Sequence, residues 1–301
     1  MWREAAGSHL LTRPNHVTAA DKRYHSDFFL HGCIISAERR PEMFWFQQGL
    51  CFLPVFLVVW SSATFIFPYI IAVFRGDVDV VFPYISDTGA NPPESCIFGL
   101  MTFISACAGI ATIYARYKYV EKLTEQNGLV KPRLNEATLG LGIIACLGMC
   151  IVATFQETAV TIVHDVGALI FFISGIVYII LQCVISFKAC PYGSSVRVCR
   201  VRYLIAVIAT AAFFPTVICT GFVKQTTLHR HTYDEDYPYQ IASAVCEWTV
   251  AFSFVCFFLT YIEDFKVSIT SRRSQGFFFL SLFSKSFSCL LFVSRRCLSC
   301  E

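Results

Sequence analysis

Charged side chains are scarce in this chain of 301 residues, where they make up 15% of the total. A typical soluble domain carries about 25%. The scarcity is concentrated in stretches of about 20 apolar residues, the length that a helix needs to cross a hydrocarbon core about 30 Å thick. Each charge at the centre of such a helix costs about 2.5–3.5 kcal/mol. The lack of charge therefore excludes an ordinary soluble domain and indicates a membrane protein.

Six such stretches divide the chain, and only the last contains a charged residue, Glu247. They are Cys51–Val73, Cys96–Ala115, Ala137–Phe155, Val166–Phe187, Tyr203–Val223 and Ile241–Ile262. None alternates in the segments of about 10 residues that mark the strands of a membrane barrel. The sequence therefore predicts an all-α integral membrane bundle of six helices. Small residues at Ser105 and Gly109, and at Gly140, Gly142 and Gly148, favour close helix packing.

Motifs of several common enzyme classes are also missing. The chain has no GxSxG nucleophile elbow, no P-loop and no GxGxxG dinucleotide fingerprint. It also has no N-x-S/T glycosylation site. We therefore predict no catalytic residue, no cofactor and no metal ligand. Nucleic-acid binding is not expected, because the basic residues are spread over segments that flank the helices.

Basic residues are nearly absent from every second connection between the predicted helices. Of the 24 Lys and Arg, 21 lie before the first helix, in the second-to-third and fourth-to-fifth connections, and in the tail. The other three are Arg75, Lys224 and Arg230. Since basic connections stay in the cytosol, both termini are predicted to be cytosolic. The opposite side is acidic.

The chain is predicted to have three parts. Residues 1–42 are polar, lack the features of a secretory signal, and are interpreted as a cytosolic, disordered extension. Residues 43–266 form the six-helix transmembrane domain. Residues 267–301 form a cytosolic tail whose apolar stretch, Phe277–Val293, is short for a span and contains Lys285. We predict that this stretch does not cross the membrane.

Polar side chains gather at the non-cytosolic ends of the predicted helices. Glu157 ends the third helix, and His164 and Asp165 begin the fourth after a connection of about ten residues. Asp87 lies in the first connection, which is rich in turn formers, and Glu247 lies about six residues into the sixth helix. We predict a polar cluster of these five residues on one side of the membrane. The sequence alone does not determine whether the sixth helix lies beside the third and fourth.

Three interpretations of this cluster differ in their chemistry. In the simplest, its members are interfacial caps and solvated groups at helix ends. In the second, His164 acts with His229 and His231 as a proton sensor, because histidine ordinarily changes charge between pH 5 and 8. Separately, His164 is a candidate partner for the membrane-embedded Glu247. In the third, the histidine and carboxylates hold a metal for lipid hydrolysis. One histidine among carboxylates is a poor zinc-binding set.

Nine segments of the chain resemble the damage-regulated autophagy modulator (DRAM) family, in matching order and spacing. They are FWFQQGLCFLP (44–54), WSSATFIFPYI (60–70), FPYISDTG (82–89), PPESCIFG (92–99), ATIYARYK (111–118), IVATFQE (151–157), VHDVGA (163–168), CEWTVAFSF (246–254) and FFLTYIEDF (257–265). The resemblance covers roughly residues 43–266. The ends of the chain, before residue 43 and after about residue 271, are unlike the family.

This resemblance implies a six-helix protein of the lysosomal membrane that promotes autophagy under stress and is linked to cell death. It implies no catalytic residues and places the acidic side in the lumen. The expected partners are the lipid bilayer and cytosolic autophagy or trafficking proteins, engaged through the basic segments Arg116–Glu136 and Lys188–Arg202. Two alternatives remain open at this point: a transporter or channel that uses Glu247, and a lipid-modifying hydrolase that uses the lumenal Asp, His and Glu side chains.

Overall fold

The computed structural model describes residues 41–223, 228–229 and 233–268. Within these ranges the chain forms seven α-helices and a short 3-10 helix at Asp87–Gly89. The α-helices are α1 (Pro41–Arg75), α2 (Glu94–Asn127), α3 (Pro132–Thr154), α4 (Thr161–Ala189), α5 (Val196–Thr220), α6 (Tyr237–Leu259) and α7 (Tyr261–Ser268). Six helical segments are long and apolar enough to cross a membrane, the sixth being α6 together with the start of α7. The prediction of an all-α membrane bundle with six spans is confirmed.

The chain divides into two compact units, Met1–Trp45 and Phe46–Glu301. The residues that matter for function all belong to the second unit. The predicted disordered extension lies outside the described residues except for its last two positions. The predicted surface segment Phe277–Val293 and the proposed proton-sensing His231 also lie outside them.

The second helix is longer than the apolar stretch Cys96–Ala115 that predicts it. α2 has 34 residues, which at about 1.5 Å per residue is about 51 Å, well beyond the hydrocarbon thickness. Residues 116–127 are therefore helical rather than part of a loop, because they contain neither Gly nor Pro. Gly128 ends the helix in the left-handed region, at a φ of +63°, and its N–H donates to the Thr124 carbonyl at 2.7 Å.

Helices α3 and α4 form the antiparallel hairpin that their short connection predicts, and they approach each other closely. A Cβ placed on Gly148 would lie 2.6 Å from the backbone nitrogen of Phe171. One placed on Gly167 would lie 2.6 Å from Cγ2 of Ile151. The main apolar core lies between α2, α3, α4, α5 and α6 and includes Tyr178 and Phe257.

Alternating helix directions give the bundle two chemically different ends. We call the end formed by the α1–α2, α3–α4 and α5–α6 connections the acidic rim. We call the other end, formed by the α2–α3 and α4–α5 connections and α7, the basic end. Each end contains a cluster of polar side chains.

Candidate functional site

Glu247 fastens the α1–α2 connection to α6. Because α6 begins at Tyr237, Glu247 lies about ten residues into the helix, deeper than the expected six. Its Oε2 accepts a hydrogen bond from the backbone N–H of Ile85 at 3.1 Å. The neighbouring Trp248 donates its Nε1–H to the Pro83 carbonyl at 2.9 Å. The bonded partner of Glu247 is thus a backbone amide, and not His164, the partner that the sequence suggested.

The same connection is held by further polar contacts, which fix the position of Asp87. The hydroxyls of Tyr84 and Ser243 form a hydrogen bond between the connection and α6. The Asp87 carboxylate accepts a hydrogen bond from the Tyr84 backbone N–H at 3.2 Å and begins the 3-10 helix. Burial raises the pKa of the Tyr84 phenol above its ordinary value, so this hydroxyl remains a hydrogen-bond donor at neutral pH.

Glu157, in the α3–α4 connection, lies beside the Ser86 and Asp87 side chains. Its Oε2 is buried and has no hydrogen-bond partner in the described part of the chain. Burial raises the pKa of the Glu157 carboxyl above its ordinary value. The nearby His164 works against this rise and the nearby Asp165 adds to it. Hydrogen bonding with Ser86 also works against the rise, and burial outweighs both, so the Glu157 carboxyl is protonated more readily than an exposed glutamate is.

His164, in the first turn of α4, is hydrogen-bonded to the start of the α3–α4 connection. Its side chain is buried, and Nδ1 donates a hydrogen bond to the Phe155 carbonyl at 2.8 Å. Asp165 is exposed. Thr158 donates its hydroxyl to the Ala90 carbonyl at 3.1 Å, so the α3–α4 connection also docks on the α1–α2 connection.

All five predicted residues lie in the connections of the acidic rim or in the helices next to them, and Asp87, Glu157 and Glu247 come together at the α1–α2 connection; their action as one site stays a prediction. Asp87 and Glu157 are neighbours, and Glu157 also acts electrostatically on Glu247. No three His, Cys, Asp or Glu residues in the described ranges are grouped closely enough to hold a metal ion. His229 lies apart from the cluster, with its Nδ1 3.3 Å from Oδ1 of Asp79. The arrangement fastens the rim loops to each other and to α6, and it buries the carboxyl of Glu157, whose pKa is raised.

A second cluster, at the basic end, was not predicted from the sequence. Asp264 on α7 accepts hydrogen bonds from two guanidinium groups, that of Arg116 at 2.6 Å and that of Arg202. The hydroxyl of Ser194 donates to its other oxygen at 2.8 Å. All three ionised side chains are at most 1% exposed. We call Arg116, Arg202 and Asp264 the buried ion cluster.

Polar and aromatic side chains make further contacts with the two guanidinium groups of the buried ion cluster. Arg202 donates through Nη1 to Ser186 at 2.8 Å and through Nε to Thr260 at 2.8 Å. The Tyr261 ring lies 5.2 Å from Cζ of Arg116 and 5.1 Å from Cζ of Arg202, within range of cation–π attraction. Helices α2, α4, α5, α6 and α7 are therefore joined at one point that carries a net charge of one positive unit.

Sequence reasoning missed this cluster because it counted Arg116 and Arg202 among the charges that set the membrane orientation. One signal was present. Arg116 and Asp264 both lie in segments that carry the family resemblance, ATIYARYK and FFLTYIEDF. An acidic residue directly after the sixth apolar stretch, on the basic side, indicates a specific cationic partner.

Comparison with known proteins agrees with this architecture. Residues 49–268 match the family model described as the Frag1/DRAM/Sfk1/Cwh43P N-terminal domain. The chain is 49% identical over 232 residues to DNA damage-regulated autophagy modulator protein 1 of Mus musculus, covering 77% of this chain and 97% of that protein. It is 43% identical over 249 residues to DNA damage-regulated autophagy modulator protein 2 of Rattus norvegicus, covering 80% and 92%.

A more distant relative is the modulator of macroautophagy TMEM150B of Danio rerio, which is 31% identical over 216 residues, covering 71% of this chain and 84% of that protein. No solved structure matches the chain. The family match spans most of the chain and includes every span and both polar clusters. The chain therefore belongs to the Frag1/DRAM/Sfk1/Cwh43P family.

Proposed function

We propose that this chain promotes autophagy and stress-linked cell death from the lysosomal membrane, as a non-enzymatic scaffold. The observation that carries the proposal is the 49% identity over 97% of a mouse protein named as an autophagy modulator. The more distant zebrafish relative is also named as a modulator of this process. These names describe modulators rather than enzymes, which fits a protein that acts by binding.

The proposed orientation puts both termini and the basic end in the cytosol and the acidic rim in the lysosomal lumen. It is supported by the distribution of Lys and Arg, of which 21 of 24 belong to the proposed cytosolic side. The acidic rim would then face an acidic compartment. Its unpartnered Glu157 oxygen is suited to such a compartment, because a protonated carboxyl is easier to bury than a carboxylate.

The proposed recruiting surface is the exposed part of the basic end. It consists of Lys131, Arg133, Lys188, Arg197 and Arg200, all of which are exposed. Basic residues near anionic lipid contribute about 1 kcal/mol each, so five together can attract an anionic membrane or an acidic partner protein. Arg116 and Arg202, which belong to the segments proposed from the sequence, are buried and are not part of this surface.

The buried ion cluster supports the scaffold proposal. It joins α2, the α4–α5 connection and α7 directly beneath the basic surface, through the bonds of Arg116, Ser194 and Asp264. Buried, fully bonded ionic groups specify one arrangement of the elements that carry them. The exposed cations are thus presented on a rigid base rather than on loose loops.

A charge reversal of the basic surface tests this function. In cells that lack the protein, the triple variant Arg133→Glu, Arg197→Glu, Arg200→Glu should reach lysosomes but fail to restore autophagic flux. Flux is measured as the lysosome-dependent turnover of an autophagosome membrane marker, and location by imaging beside a lysosomal marker. The matched control, with Lys at the same three positions, keeps the charge and should restore flux.

Three results would contradict parts of this proposal. Full autophagic flux from the Glu variant would contradict the proposed recruiting surface. Absence of the functional wild-type chain from lysosomes would contradict the proposed lysosomal location. A change in cellular lipid composition caused by Asp165→Asn, together with loss of flux, would replace the scaffold with a lipid-modifying enzyme.

A further inference from the structure

An apolar cavity lies in the middle of the membrane spans, between α1, α2, α3, α4 and α6. Its volume is about 60 Å³. Its walls include Leu57 and Ser61 from α1, Ala145 from α3 and Phe254 from α6. Three side-chain hydroxyls line the cavity, those of Ser61, Ser105 and Tyr178. The Ser105 hydroxyl already forms a hydrogen bond with the Thr64 hydroxyl at 3.3 Å.

Hydrocarbon suits this cavity better than water does. A buried water needs two to four polar partners, and apolar cavities stay dry and take up apolar molecules. With about 10–15 Å³ of such space per water-sized group, the cavity of about 60 Å³ has room for about four to six such groups. That is the end of one flexible chain. A rigid fused-ring sterol is far larger.

The seam between α1 and α6 gives the cavity access to lipid. Towards the acidic rim the seam is closed by edge-on aromatic contacts of Phe65, with Trp248 at 6.4 Å and with Phe252 at 6.0 Å between ring centroids. Towards the basic end, Val58 on α1 and Val255 on α6 line the cavity and are only half-buried. The cavity therefore meets the lipid-facing surface in this half of the seam.

α1 is positioned to admit such a chain. It is held to α2 by side chains, such as the Trp60 indole that donates to the Met101 carbonyl at 3.0 Å. The close helix pairs of the described bundle are instead α3 with α4, α5 with α6, and α2 with α3. We propose that the terminal carbons of a single phospholipid acyl chain enter between α1 and α6 and occupy this cavity.

The experiment uses the full chain reconstituted in phosphatidylcholine vesicles that contain a phosphatidylcholine with a diazirine at the end of one acyl chain. After photolysis, peptide mass spectrometry should find adducts on the cavity walls of α1 and α6, around Val58 and Val255. Filling the cavity with Ala145→Phe should lower this labelling about tenfold, the loss that about 1.4 kcal/mol of affinity produces. The matched control is Ala211→Phe, on the exposed face of α5, which should label as the wild type does.

A second filling variant, Ser61→Leu on α1, keeps the test decisive if Ala145→Phe fails to purify as a single folded species. Adducts spread evenly over the lipid-facing surface and unchanged by both fillings would overturn the proposal. Absence of adducts on the cavity walls would also overturn it and leave a dry void. Labelling of the walls by a diazirine sterol, in competition with the acyl probe, would overturn the assignment to an acyl chain.

Discussion

At the scale of single residues, Asp264 determines whether the basic end holds together. Within the described ranges, it is the one carboxylate bonded to the two buried guanidinium groups of Arg116 and Arg202. A buried ion pair adds little net stability over apolar packing, but removal of one partner leaves an uncompensated charge and is strongly destabilising. Here the removal would leave two like charges facing each other across the site.

Asp264→Asn should therefore lower the free energy of unfolding by about 3–5 kcal/mol. The side chain keeps its size and loses its charge, so the effect is electrostatic. The measurement is denaturation in detergent micelles, followed by tryptophan fluorescence. Glu263→Gln, which removes the same charge from the exposed neighbouring position, is the control and should stay near the wild type. Equal stability of both variants would show that the cluster does not hold the helices.

A second prediction for a single residue concerns Glu157 and the dependence of stability on pH. Because burial raises its pKa in the folded state, the folded protein binds a proton more tightly than the unfolded chain does. Its contribution to stability is complete at acidic pH and is lost as the pH rises through the folded-state pKa. The loss cannot exceed about 1.4 kcal/mol per pH unit for one proton.

Glu157→Gln cannot ionise and should flatten this part of the stability–pH curve. Thermal unfolding in detergent between mildly acidic and neutral pH measures the slope. Glu235→Gln, at an exposed position on the same rim, should leave the slope unchanged. If Glu157→Gln keeps the wild-type slope, another group accounts for the pH dependence.

At the scale of helices, glycines control how closely α3 and α4 pack. Small residues allow close approach where lipid offers no hydrophobic drive for association. Gly148 meets backbone atoms of α4, which cannot move aside as a flexible side chain can. Gly140, on the same helix, has nothing within 4 Å of the position where a Cβ would lie.

Gly148→Ala should therefore push α3 and α4 apart and destabilise the protein, whereas Gly140→Ala should be neutral or stabilising by up to about 1 kcal/mol through helix propensity. Unfolding of the two variants in the same detergent compares them directly. A stable Gly148→Ala protein would mean that the hairpin can open without loss. The sequence predicts close packing at both glycines, and only the position of α4 shows that Gly148 is in contact with it and Gly140 is not.

At the scale of the whole molecule, the two ends differ in how they use charge. The basic end neutralises part of its charge internally, through Asp264, and exposes the rest as a surface. At the acidic rim, two of the carboxylates, those of Glu247 and Asp87, hold the backbone of the α1–α2 connection, whereas Asp165 and Glu235 are exposed. The protein therefore carries exposed cations at one end and bonded, partly buried carboxylates at the other.

Much of this architecture could be predicted from sequence. Six spans, the α3–α4 hairpin and the grouping of five polar residues at one end follow from apolar length, connection length and topology. The bonded partner of Glu247 could not be predicted, because it is a backbone amide of a distant connection. The burial of Arg116 and Arg202 could not be predicted either, because it depends on Asp264, which lies 148 and 62 residues away.

Residue composition is enough to predict the number of spans and the charge of each end, because transfer of a helix into hydrocarbon depends on the composition of that segment alone. Helix packing sets which cations are buried and which are exposed, which glycines meet a neighbouring helix, and where a cavity remains. These features depend on the rotation of each helix about its axis and on its distance from helices remote in the chain. No single segment contains that information.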